Sequence, residues 1–108
     1  MDLSRLLPLV DEGALLDRLR TVMDPELGVN IVDLGLVYES DAHAGLAHVL
    51  MTTTSPACPI GSYLEDQIRW ALLDLPGIVD VEVVVTHEPP WSPRLMAPAA
   101  RIALGWTG

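Results

Sequence analysis

The sequence predicts an α+β fold: a two-layer sandwich in which helices cover a small sheet, in the order α-β-β-α-β-α. Three observations carry that expectation. Two stretches, 15–23 and 60–75, repeat apolar residues at helical spacing. Two β-rich runs flank a turn-forming stretch at Ser40-Asp41-Ala42-His43-Ala44-Gly45. Near the end, Val79, Val81, Val83 and Val85 alternate with Asp80, Glu82, Val84 and Thr86 in the period of a strand.

Each element has its own signal. Asp11 is suited to cap a first helix, with Leu15, Leu16, Leu19, Val22 and Met23 on one face and Asp17, Arg18 and Arg20 on the other. That helix should stop before Asp24-Pro25, because a residue preceding proline is pushed away from the α region. Residues 26–30 form a loop, and strands over 31–40 and about 46–53 make an antiparallel hairpin. Proline is favoured in the first helical turn, so a second helix should start after Cys58-Pro59 and end at Pro76-Gly77. Its apolar face is Ile60, Leu64, Ile68, Ala71, Leu72 and Leu75. The third strand spans 79–86 and a short helix about 98–104.

The 108 residues, 11.7 kDa, suit one domain over 1–108, with 1–10 as an N-terminal extension and 87–108 as a proline-rich tail with a short helix. Fifteen acidic residues against six arginines, with no lysine, give a net charge of −9. That balance excludes a nucleic-acid-binding role resting on Lys and Arg neutralising phosphates. The apolar stretch at residues 6–10 is too short for a signal core, and no run approaches the roughly 20 residues that span a bilayer. A cytoplasmic location with no membrane partner is expected, and the lone Cys58 should stay reduced.

Cys58 rules out an internal disulfide and any four-cysteine metal site within one chain. Placed before Pro59 at a helix start, beside Thr53 and Thr54, it is the candidate functional residue. The positive end of the helix dipole favours a thiolate, the form that attacks electrophiles or binds metals. A small buried residue at a helix cap is the competing explanation. One thiolate cannot hold a metal or cluster alone, so Cys58 as a metal contact implies sharing with a second subunit, a partner or a small thiol. His43 is not at ligand spacing from Cys58. His48 and His87 are formal candidates for the base of a cysteine–histidine dyad, with no sequence feature that aligns them.

Asp24, Glu26 and Asp33 lie within ten residues. A turn explains them: Asp24-Pro25 begins it, Gly28 or Asn30 takes a positive φ, and Asp33 holds loop amides. In the tail, Trp91, Met96 and Trp106 either cover a core edge or form a partner surface, and Trp70 on the second helix is expected to cover a core edge.

The run Asp24-Pro25-Glu26-Leu27-Gly28-Val29-Asn30-Ile31-Val32-Asp33-Leu34-Gly35-Leu36-Val37-Tyr38, the turn Thr52-Thr53-Thr54-Ser55-Pro56-Ala57-Cys58-Pro59 and the tail from Pro89 to Gly105 occur in order. Together they resemble the SufT-like iron–sulfur cluster assembly-associated family, to which the N-terminal domain of the phenylacetate-degradation protein PaaD is similar. The resemblance implies a non-enzymatic maturation factor that assists cluster transfer or insertion into client proteins. Cys58 would be its transient ligand or contact, with Asp24, Glu26, Asp33, Thr53, Thr54 and Pro59 around it and Trp91 and Met96 as partner surface. No permanent cofactor is implied, only a passing iron–sulfur cluster shared between subunits or with a partner. Its partners would be the assembly machinery and client proteins, and a homodimer is open. The chain lacks a PaaD-type cysteine-rich extension, which makes an oxygenase accessory protein the second choice. Outside the resemblance, a thiol enzyme with Cys58 as nucleophile and a pure adaptor with an inert Cys58 are the hypotheses from other classes. Pro98 stands where such tails commonly carry an acid, which implies a last helix that starts later or differs in shape.

Overall fold

Along β2 (Leu46–Met51) apolar residues on alternate positions bury Ala47, Val49 and Met51 on one face, while Leu46, His48 and Leu50 point to the other. In the computed structural model, which describes residues 12–54 and 61–105, this strand is the middle of a three-stranded sheet. It pairs antiparallel with β1 (Val37–His43) and parallel with β3 (Asp80–Val85). Three helices complete the order expected from the sequence: α1 (Glu12–Leu19), α2 (Gly61–Leu73) and α3 (Pro98–Leu104).

The hairpin is tighter than its sequence suggests. Asp41, Ala42 and His43 extend β1 by pairing with His48, Ala47 and Leu46, which shrinks the turn to Ala44-Gly45. Both turn residues have positive φ, 52° and 85°, the conformation that matches the twist of a two-residue hairpin. At its other end β1 begins at Val37, not Ile31. Residues 31–36 close on themselves instead, with Leu34 N donating to Asn30 O, Gly35 N to Val32 O and Leu36 N to Ile31 O. This coil buries Ile31, Leu34 and Leu36 as completely as a strand would.

Helix α1 also ends earlier than its apolar spacing implies. Val22 N donates to Leu19 O in a final turn, and Met23 leaves the helix to bridge Asn30 with its side chain half exposed. On α2 the buried residues Leu64, Ile68 and Leu72 recur every four positions and pack with Leu15 and Leu19 against Ala47, Val49 and Val81. Trp70 projects from the opposite side of that helix and is 63% exposed, so it does not cover a core edge. Between α2 and the sheet, Arg69 Nη1 donates to Val81 O at 3.0 Å.

The tail is pinned to the 31–36 coil. Trp91 Nε1 donates to Leu34 O at 2.7 Å and Ala97 N to Asp33 O at 2.7 Å. Gly35, at φ +77°, lies directly against the Leu95 backbone, where a Cβ would collide with its carbonyl. Met96 is 4% exposed and belongs to the core, and Trp91 packs against that core. The partner-surface expectation for Met96 is thereby corrected, and the core-edge alternative describes Trp91. Helix α3 starts at Pro98 itself, since proline fits a first helical turn, and ends on Gly105 at φ +73°. The later start implied by Pro98 is not seen. Trp106 lies outside the described residues.

Gly35→Ala should cost more than about 1 kcal/mol, because it adds both a clash and an unfavourable φ. Trp91→Phe, which removes one hydrogen bond, should cost about 1 kcal/mol. Thermal unfolding checks both, at about 4 °C or more of lowered midpoint per kcal/mol. Unchanged midpoints would show that the tail does not hold the coil.

Candidate functional site

Because β2 and β3 run parallel, with Met51 opposite Val85, their carboxyl ends lie side by side. The ladder continues past both strands: Thr86 N donates to Met51 O and Thr52 N to Leu36 O, each at 2.8 Å. The 31–36 coil, the threonines 52–54 and the segment starting at Thr86 therefore meet at one end of the sheet. Arg69, late in α2, contacts Val81, early in β3, so α2 runs against the strands and its N-terminus is at this same end. The carboxyl ends of parallel strands, with a helix N-terminus beside them, are where open sheets place ligands.

Two side chains meet here that are far apart in sequence. Thr53 Oγ1 lies 2.9 Å from His87 Nε2, and Thr53 is buried. The residues after His87 are fixed too: Tyr38 Oη donates to Pro89 O at 2.8 Å, and Glu88 N donates to Thr86 Oγ1 at 3.2 Å. Hydroxyl and imidazole can each donate or accept in this bond, so the pair holds the two segments together whichever ring nitrogen carries the hydrogen. His87 is thus the site residue that sequence alone places least well. Only the parallel pairing of β2 with β3 reveals it.

The carboxylates do different work. Asp24 is 2% exposed, and its Oδ1 accepts from Glu26 N at 2.8 Å and Leu27 N at 3.0 Å. Gly28 N donates to Asp24 O and takes the positive φ of 69° that the turn requires. Glu26 is exposed. Asp33 does not hold loop amides. Instead Asn30 Oδ1 accepts from Asp33 N, and Asn30 Nδ2 donates to Asp33 Oδ2, both at 2.9 Å. Among the described residues no three His, Cys, Asp or Glu side chains are grouped to hold a metal ion. The three acids therefore do not converge on a cation with His87.

Thr54 is half-buried at the mouth of the turn, while Cys58 and Pro59 fall outside the described residues. His48 is mid-strand on β2, with Nδ1 3.2 Å from Glu82 Oε2, on the sheet face that carries Glu39 and Asp41. His43 is exposed at the hairpin end. Neither is at the end of the sheet where Thr53 and His87 meet.

The model of one family, described as "Iron-sulfur cluster assembly protein", matches residues 12–85. The chain belongs to that family. It is 49% identical to the Fe-S protein maturation auxiliary factor YitW of Bacillus subtilis, over 81% of this chain and 86% of that one. It is 46% identical to the corresponding factor SufT of Staphylococcus aureus, over 78% and 97%. Among solved structures, a domain of unknown function from Bacillus anthracis superposes with a TM-score of 0.84 at 42% identity, covering 87% of this chain and 91% of that one. The family match begins at α1 and ends with β3, so it takes in the coil, the threonines and the parallel strand pair.

Asp24→Ala leaves two part-buried amides without their acceptor and should cost about 1–3 kcal/mol. Asp24→Asn keeps an oxygen in place and should cost less. Urea unfolding of the two variants gives the comparison, and equal losses would mean that the charge, not the turn geometry, matters.

Proposed function

We propose that this chain is an auxiliary factor in the maturation of iron–sulfur proteins, acting as one domain over residues 1–108 in the cytoplasm. The observation that carries the proposal is the family match over α1 to β3, together with full-length relatives named as maturation auxiliary factors. Among the described residues no helix is long and apolar enough to cross a membrane.

In this role the iron or cluster is cargo and the protein performs no catalytic step. Cys58 is its contact with the cargo, five residues after Thr53 at the carboxyl end of β2, with Pro59 next in sequence. One thiolate holds cargo weakly enough to release it, and the remaining ligands come from a client, the assembly machinery or a second copy. His87, hydrogen-bonded to Thr53, adds a polar group at the same end. The turn built by Asp24 and the coil around Asp33 hold this end in shape, with Glu26 on its exposed rim.

Anaerobic reconstitution with iron and sulfide tests the assignment to Cys58. Wild-type protein should develop cluster absorbance or pass iron and sulfide to an apo-client, and Cys58→Ser should lose at least about 90% of either signal, a factor of ten. Signals that persist in the serine variant would remove Cys58 as the cargo contact. Rapid alkylation with a burst of product from an activated acyl ester would favour a thiol enzyme.

A further inference from the structure

Helices α1 and α2 pack on one face of the sheet, and the opposite face carries a distinct chemistry. In register across β1, β2 and β3, Asp41, His48 and Glu82 form one row, and Glu39, Leu50 and Val84 form the next. These six, with Val49, line a shallow hollow of about 340 Å³. Its apolar floor is accessible: Val84 is 47% exposed and Leu50 partly so. On the other side of the Asp41 row, His43, Leu46 and Asp80 form a third, so the strands bring four carboxylates and two histidines to this face and no arginine.

We infer that this outer sheet face docks a cationic protein segment, one that presents lysine or arginine beside apolar side chains. Charge complementarity selects the occupant. His48 is paired with Glu82, and the remaining rim is acidic; an acidic rim around an apolar floor attracts the opposite sign and steers its approach. The same rim rejects a second copy of this chain, since stacking two such faces would set carboxylates against carboxylates. It rejects nucleic acid for the same reason. The sheet face is separate from the Thr53–His87 end, so a partner bound here leaves that end open. This inference goes beyond the maturation role, and its test reads binding alone, independent of Cys58 and of iron.

The test is an amide-shift titration of the ¹⁵N-labelled full chain with a short synthetic peptide alternating arginine and valine, at low salt. Saturable shifts should centre on Asp41, His48, Leu50 and Val84. Glu39→Gln with Asp41→Asn should weaken binding roughly tenfold, and Val84→Thr about threefold. Glu65→Gln with Asp66→Asn, on α2, should change it by less than about twofold. Shifts spread evenly over Asp17, Asp66 and Asp74, equal losses in the two acid-neutralised variants, or no saturation would overturn the inference. So would equal binding of a peptide alternating glutamate and valine. Concentration-dependent shifts on this face without peptide would assign it to a second copy and overturn it as well.

Discussion

The parallel pairing of β2 with β3 is the constraint from which the rest of this molecule follows. A parallel pair cannot be closed by a short turn, so the chain between the strands must cross over through α2. That crossover puts the N-terminus of α2 and the carboxyl ends of both strands together. It also brings Thr53 within 2.9 Å of His87 across 34 residues of sequence. Thr53 and His87 therefore meet at the end of the molecule where the dipole of α2 favours negative charge.

Around that end the protein spends its polar groups on shape. Asp24 is the most deeply buried carboxylate of the described residues and is committed to the amides of Glu26 and Leu27. Asp33 is tied to Asn30 on one side and, through its carbonyl, to Ala97 on the other. Trp91 and Gly35 complete the strap, so the tail works as a brace for the coil that leads into β1. A family motif rich in acids can look like a metal site, but here two of its acids are spent on turn and coil geometry.

Much of this was legible from the sequence. The period-two valines gave β3, the four-residue apolar spacing gave the buried face of α2, and Asp24-Pro25 with Gly28 gave the turn. What escaped had physical causes. Ile31, Leu34 and Leu36 are buried by a coil as fully as by a strand, so composition could not separate the two. Met23 and Trp70 are apolar residues at the surface, and hydrophobicity alone assigns them inward. Met96 looked available because a proline-rich tail suggests exposure, yet Gly35 lets the Leu95 backbone approach closely enough to bury its neighbour. His87 depended on which strands pair and in which direction, and that is a long-range property no local pattern encodes.

In the proposed role, the carboxyl end of β2 and β3 serves iron–sulfur maturation through Cys58. The most direct measurement is complementation: the activity of an iron–sulfur enzyme in Staphylococcus aureus cells lacking SufT and expressing this chain. The wild-type chain should restore that activity, while Cys58→Ala, produced at the same level, should not. Equal restoration by the alanine variant would contradict that role.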